Sequence, residues 1–193
     1  AWLVSSSDML MGLFMGGPQS IVVMLAPLAI VWFGFNPASM SSQKLRISFI
    51  ALSVVYGISF SVIALVVAKA DIARAFFITS AMFAALSIFG YTTKKDLTSW
   101  GSFLFMGLIG IIIASVVNMF MQSSMMHTII TYAGVLIFVG LTAYDTQKIK
   151  EMNILGNEGT DEDTKEAIRG ALTLYLDFIN LFLMLLRLMG DRR

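Results

Sequence analysis

The sequence predicts an all-α integral membrane protein, in which a bundle of transmembrane helices surrounds the last one. Hydrophobic residues make up 58% of the chain and charged residues 13%, whereas soluble domains are nearer ~45–50% apolar and ~25% charged. Several apolar runs are long enough to cross a ~30 Å hydrocarbon core as helices. The last of these runs, residues 167–188, contains a single acidic residue, Asp177, between Arg169 and Arg187. The rest of the chain is expected to supply a partner for that carboxylate.

Length and charge limit the remaining possibilities. With 193 residues and little polar sequence, the chain has room for a single transmembrane bundle domain, 1–193, and for no separate soluble domain. The formal net charge of +1 gives no indication of a nucleic-acid partner. The chain has no cysteine, so disulfides and thiolate metal sites are excluded.

The N-terminal part of the chain begins on an apolar stub, residues 1–4. We interpret the stub as the tail of a first helix that is largely missing from this chain. A short apolar segment, 9–15, is expected at the membrane interface, and a Gly-Gly-Pro sequence ending at Pro18 predicts a turn after it. The next crossing is 20–35, where Pro27 removes a backbone donor, and Pro37 marks its end.

Five further crossings follow, separated by polar turns. A charged turn is expected at 69–74, a second at 94–96, and the one long polar loop at 148–165. Acidic residues near the end of that loop stand where the N-terminus of the next helix favours negative charge. The predicted crossings are 47–67, 72–91, 97–121, 127–146 and 167–188.

Two acidic residues lie in or at the edge of apolar spans, Asp145 and Asp177. A carboxylate at the centre of a transmembrane helix costs about 2.5 to 3.5 kcal/mol on insertion scales. Intramembrane acids are therefore functional candidates by default. Because the two spans are consecutive and antiparallel, the sequence predicts that their carboxylates form a pair.

Polar neighbours support this prediction of a pair. Thr173, Asp177 and Asn180 fall on one face of the last helix. Thr142 and Asp145 share a face of the preceding helix. Asn118, inside the span 97–121, is interpreted as an interhelical hydrogen-bonding residue rather than a ligand.

A buried pair of carboxylates offers several kinds of chemistry. Like charges in a low dielectric cannot both ionise readily, so such a pair titrates as a unit. The pair can share a proton, bind a hard cation such as calcium through oxygen ligands, or do acid–base work. The structural alternative is that each aspartate hydrogen-bonds a neighbouring helix and only holds the bundle together. For Asp145 this alternative is stronger, because Lys148 follows one turn later.

Four stretches of this sequence resemble the signature of the Bax inhibitor motif family (TMBIM). The most specific are 174–182 (LYLDFINLF), followed by the Leu-Leu-Arg of 185–187, and 141–150 (LTAYDTQKIK). Residues 90–97 (GYTTKKDL) and 117–120 (VNMF) add to the likeness. The resemblance extends over about residues 19 to 190 and is closest to the bacterial members, which indicates an inner (plasma) membrane protein.

The resemblance implies a seven-helix bundle with the C-terminal helix in the centre. It also implies a pH-sensitive calcium leak, in which Asp145 and Asp177 match the paired aspartates of the family. Some members place a basic residue near the end of the second helix in contact with that pair. Here the segment 34–39 has no Arg or Lys, and Arg46, some residues later, is the candidate for that contact. Bacterial relatives are linked to the regulation of a membrane-anchored protease.

Three functional hypotheses follow. The leading one is a calcium leak, not an enzyme, whose Asp145 and Asp177 sense protons and transiently coordinate calcium. Its partners would be the lipid bilayer, calcium and protons, without a cofactor. The second is a non-conducting regulator that binds a membrane protease. The third, an intramembrane aspartyl protease, is disfavoured because Leu-Tyr-Leu-Asp stands where such enzymes carry Gly-x-Gly-Asp, and their Pro-Ala-Leu motif is absent.

Overall fold

The regular elements within the described residues are helices, as the sequence predicts. A computed structural model describes residues 1–17, 19–36, 39–152 and 159–190. Its helices are α1 (Trp2–Ser5), α2 (Asp8–Met15), α3 (Gln19–Phe33), α4 (Ser42–Ser59), α5 (Ile63–Val66), α6 (Lys69–Thr92), α7 (Thr98–Met121), α8 (Ser124–Met152) and α9 (Asp161–Met189). The turn and helix end predicted at Pro18 and Pro37 lie outside the described residues.

Among the described residues, five helical segments are long and apolar enough to cross a membrane. They are α6, α7, α8, α9 and the combined segment Ser42–Val66, each 24 to 29 residues long. Helix α3, in the predicted crossing 20–35, has 15 residues and spans roughly 22 Å. The predicted seven helices correspond to the stub α1, to α3, to the α4–α5 segment and to α6 through α9. The short α2 lies between α1 and α3 in the chain. The fold is therefore that of an all-α membrane protein.

Three predicted boundaries are wrong, each because the helices extend beyond the apolar runs. The charged turn expected at 69–74 is the first turn of α6, where Arg74 donates to the Asp71 carboxylate at 3.5 Å. The loop expected at 148–165 is shorter, because α8 continues to Met152 and α9 begins at Asp161. Its acidic residues stand in the first turn of α9, where they complement the helix dipole.

The described residues form two compact units, and the single-domain assignment of 1–193 stays a prediction. The first unit comprises Ala1–Lys69 with the N-terminal part of α9, and the second comprises Ala70–Ile154 with Gly170–Gly190. In the first unit, α3 packs against α4. The backbone N–H of Ser42 also donates to the Asp161 carboxylate at 3.4 Å, which joins the start of α4 to the start of α9.

A hydroxyl of α4 satisfies the carbonyl that the proline of α3 leaves free. Pro27 lies inside α3 and has no N–H, so the carbonyl of Val23 lacks its usual partner four residues later. The Ser59 Oγ lies 2.9 Å from that carbonyl oxygen and 3.0 Å from Val55 O, so the two carbonyls share its single O–H proton. A neighbouring helix thus restores the hydrogen bond that Pro27 removes, as a membrane interior requires.

We expect Ser59→Ala to destabilise the protein by about 1 kcal/mol, the scale of an interhelical hydrogen bond in a membrane. In a Pro27→Ala background the loss should largely disappear, because the introduced alanine supplies the missing N–H to Val23. The measurement is reversible unfolding in detergent for the four members of this double-mutant cycle. Ser53→Ala is the matched control, since the Ser53 hydroxyl donates to Phe49 O in its own helix. An equal cost of Ser59→Ala in both backgrounds would refute the assignment.

The crossing predicted at 47–67 is one candidate span, Ser42–Val66, as expected, but its helix is interrupted. Helix α4 ends at Ser59, and α5 begins at Ile63. Between them the N–H of Ser61 donates to Ile58 O at 3.0 Å, and the buried Ser61 hydroxyl donates to the same carbonyl. Serine hydroxyls that bond backbone carbonyls compete with helical hydrogen bonds, which accounts for the break.

The second unit packs α6, α7, α8 and the C-terminal part of α9 around one apolar core. Buried residues of α7, α8 and α9 form this core: Leu104, Phe138, Leu141, Leu181, Met184 and Leu185. On α6, Phe76 and Phe83 pack edge-on against Phe178 of α9. Helix α9 therefore shares its apolar surface with the other helices of this unit.

Candidate functional site

The two aspartates singled out in the sequence meet between α8 and α9. The carboxyl groups of Asp145 and Asp177 lie within hydrogen-bonding reach of each other. Asp177 is only 5% exposed, while Asp145 is half-buried. Because two carboxylates can only accept hydrogen bonds, a hydrogen bond between them requires a shared proton.

Small residues bring α8 and α9 together on both sides of this pair. A Cβ on Gly134 of α8 would lie 2.9 Å from the Met184 sulfur, and a Cβ on Gly170 of α9 would lie 3.2 Å from the Ile149 side chain. Asp177 stands midway between Gly170 and Met184 along α9. The missing side chains at Gly134 and Gly170 thus leave room for Met184 and Ile149 of the facing helix on either side of the pair.

One oxygen of the pair has no hydrogen-bond partner within the described part of the chain. This atom is Oδ2 of Asp177, and it is buried. Buried polar atoms without a partner are rare in native structures, and they mark functional positions or sites of water and ions. The Asp177 carboxyl therefore has acceptor capacity beyond its contact with Asp145.

The Asp145 side of the pair is close to a positive charge. Lys148, one turn further along α8, interacts electrostatically with Asp145. Its ammonium nitrogen lies 5.8 Å from the centre of the Tyr144 ring, and its side chain is exposed. The pair thus has a buried end at Asp177 and a more polar end at Asp145.

The predicted supporting residues on α8 and α9 bond mainly to their own helices. The fully buried Thr142 donates to Phe138 O at 2.7 Å, and the Asn180 amide donates to Leu176 O at 2.8 Å. Thr173 lies one turn before Asp177 and is half-buried. These residues share the helix faces of the aspartates, as expected, but the side chains of Thr142 and Asn180 are engaged by helix carbonyls.

Asn118 is not brought to the pair, and the predicted contact of Arg46 with the pair stays a prediction. Asn118 accepts a hydrogen bond from the Ser123 N–H at 3.0 Å, so it caps the end of α7. It lies roughly 25 Å along that helix from Gly101, whose missing side chain makes room for the Tyr144 ring. Arg46 lies on α4 in the first unit, where its side chain is exposed.

Sequence reasoning assigned no role to Gln147, which joins α8 to the turn between α6 and α7. Its buried amide donates to Lys95 O at 2.8 Å and accepts from the Leu97 N–H at 2.8 Å. Lys150 adds a bond to Tyr91 O at 2.8 Å. The sequence did contain a signal for this role, because Gln147 stands two residues after Asp145, near the end of a predicted span. A buried amide needs polar partners, so this position predicts a hydrogen bond to a neighbouring segment.

Comparison with known proteins gives matches along the whole chain. The family model described as "Inhibitor of apoptosis-promoting Bax1" matches residues 1–193. The inner membrane protein YbhL of Escherichia coli is 44% identical over 196 residues, covering 100% of this chain and 84% of its own. An uncharacterized protein of Rickettsia prowazekii is 48% identical over 174 residues, covering 89% and 73%. One of Borreliella burgdorferi is 39% identical over 199 residues, covering 100% and 84%.

These matches confirm the resemblance found in the aspartate-containing stretches. The relatives are bacterial, and the one from Escherichia coli is named as an inner membrane protein. The part of this chain that the structure describes has five helices able to cross a membrane. It therefore belongs to the Bax inhibitor family and is an integral protein of the bacterial inner membrane.

Proposed function

We propose that the protein is a pH-sensitive calcium leak, and not an enzyme, in which the Asp145–Asp177 pair senses protons. The observation that carries this proposal is the contact between the two carboxyl groups, one of them 5% exposed. A pair in this arrangement binds or releases a proton as one unit. Each protonation change then acts on the contact between α8 and α9.

Proton loss from the pair would act on helix packing through repulsion. Two unit charges about 4 Å apart interact by about 4 kcal/mol at an effective dielectric constant of 20. An energy of that size is enough to shift a two-state equilibrium by about 10³-fold. The protonated pair instead links α8 to α9 by a hydrogen bond. The pair thus supplies a bias between two helix arrangements, which is what a pH gate needs.

The oxygen ligands of the pair suit a calcium ion that is being transported better than one that stays bound. Calcium prefers oxygen ligands and takes six to eight of them. Asp145 and Asp177 supply carboxylate oxygens, including the partnerless Oδ2 of Asp177. Across the described residues, no three His, Cys, Asp or Glu side chains cluster as a metal site would need. Two carboxylates can bind a transported ion briefly and weakly, so we propose calcium as the transported species.

The test is calcium uptake into proteoliposomes containing only the purified protein. We expect uptake above that of protein-free vesicles, at a rate that changes several-fold between pH 6 and pH 8. A calcium-sensitive dye inside the vesicles reports the rate. Uptake equal to that of protein-free vesicles at every pH would refute the leak and favour the non-conducting regulator of a membrane protease.

A further inference from the structure

A basic surface in the second unit adjoins an apolar cleft at the start of α7. Lys94 and Lys95 lie in the turn between α6 and α7, and Lys148 and Lys150 lie on the last turns of α8; all four are exposed. The bonds of Gln147 to Lys95 and Leu97 hold the turn against α8. The four lysines therefore belong to one end of the unit, which we call the lysine surface.

The acidic residues of this end leave the lysine surface positive. Asp96, Asp145 and Glu151 are its nearest acids in sequence, three against four lysines, and Asp145 interacts electrostatically with Lys148. The Asp96 carboxylate accepts the N–H of Thr98 at 2.8 Å, and its bonds to Thr98 lower its pKa. Asp96 thus faces the first turn of α7, and the turn still presents two lysines to its surroundings.

The cleft beside this surface is apolar and open to the side of the helix. It measures about 330 Å³ and is lined by Ser99, Trp100 and Phe103. Trp100 is 61% exposed and Phe103 is 65% exposed. Phe103 lies roughly 9 Å beyond Leu97 along α7, so the cleft reaches from the helix end toward the hydrocarbon region. Tryptophan at this depth is typical of the membrane interface.

We propose that the lysine surface and this cleft form a binding site for an anionic phospholipid. The lysines at the turn would bind the headgroup phosphate, and Trp100 and Phe103 would contact the upper part of an acyl chain. Charge complementarity selects the headgroup, since clustered lysines at the end of a transmembrane helix attract anionic lipids. The apolar cleft selects a lipid over a free phosphate, because its described lining offers only the Ser99 hydroxyl and the Trp100 indole N–H as polar groups. The described lining of the cleft contains neither aspartate of the proposed leak, but the lysine surface shares Lys148 with the surroundings of Asp145.

Quenching of Trp100 fluorescence by lipids with brominated chains tests the proposal. The chain has three tryptophans, so the measurement uses a Trp2→Phe/Trp32→Phe protein whose only tryptophan is Trp100. The protein is reconstituted in phosphatidylcholine containing brominated phosphatidylglycerol, or brominated phosphatidylcholine. We expect phosphatidylglycerol to bind beside Trp100 about five-fold more strongly than phosphatidylcholine, with the preference decreasing at high salt.

Two lysine variants complete the experiment. Lys94→Gln/Lys95→Gln should reduce the preference to about one- to two-fold. Lys69→Gln, the control, removes an exposed lysine at the other end of α6 and should preserve it. Equal quenching by the two lipids in the protein that keeps all of its lysines would overturn the proposal. So would a preference that survives in Lys94→Gln/Lys95→Gln or is lost in Lys69→Gln.

Discussion

Asp177→Asn is expected to remove most of the pH dependence of calcium flux. Asparagine has the shape of aspartate and can still hydrogen-bond Asp145, but it neither binds nor releases a proton in this range. The several-fold ratio of rates between pH 6 and pH 8 expected for the native protein should therefore fall toward one. The measurement is dye-reported calcium uptake by proteoliposomes at matched protein density.

The control for this variant is Glu162→Gln on the same helix. The Glu162 side chain is 69% exposed and pairs with Lys165 at 2.8 Å, so its neutralisation should leave the pH profile unchanged. Asp145→Asn should flatten the profile as Asp177→Asn does, and the double variant should add little, because residues that act as a unit are not additive. If Asp177→Asn keeps the pH profile of calcium flux seen in the native protein, Asp177 is not part of the sensor.

Gly90→Ala is expected to destabilise the protein by about 3 kcal/mol, at the upper end of overpacking costs. Gly90 of α6 is buried against the backbone of α8, where an added Cβ would collide with the carbonyl oxygen of Ala143. Backbone cannot move aside as a flexible side chain can, so α6 and α8 would have to separate by about an ångström. Reversible unfolding in detergent gives the free-energy change.

Gly110→Ala on α7 is the matched control, because an added Cβ there meets no atom within 4 Å. We expect this control to be neutral or stabilising by up to about 1 kcal/mol, since alanine has the higher helix propensity. Similar stabilities for the two alanine variants would show that Gly90 does not set the distance between α6 and α8. Because Ala143 is two residues from Asp145, Gly90→Ala should also disturb the pH profile of calcium flux.

Long apolar runs explain why the architecture could be predicted from the sequence. In a membrane every backbone group must be satisfied within the chain, which restricts long apolar segments to helices. The same reasoning located Asp145 and Asp177, because an acid in such a segment is conspicuous. Their contact was predictable because consecutive spans are antiparallel neighbours, and the structure brings these two carboxyl groups together.

Contacts between helices were beyond the reach of local sequence patterns. Ser59 bonds the Val23 carbonyl across 36 positions, and no periodicity within α4 indicates that partner. The break after Ser59 was missed for a related reason, because hydropathy does not register which serine hydroxyls bond the backbone. Thr142 and Asn180 were predicted on the correct faces, but helix carbonyls engage their side chains, a competition that spacing alone does not reveal.

Infrared spectroscopy of the carboxyl groups is the most direct test of the central claim that Asp145 and Asp177 share one gating proton. The native protein should show one hydrogen-bonded carboxylic acid, which gains and loses its proton over the pH range in which calcium flux changes. That band should be absent in Asp177→Asn and displaced in Asp145→Asn, where the bonding partner differs. A band that titrates in another pH range, or that is unaltered in Asp145→Asn, would contradict the claim.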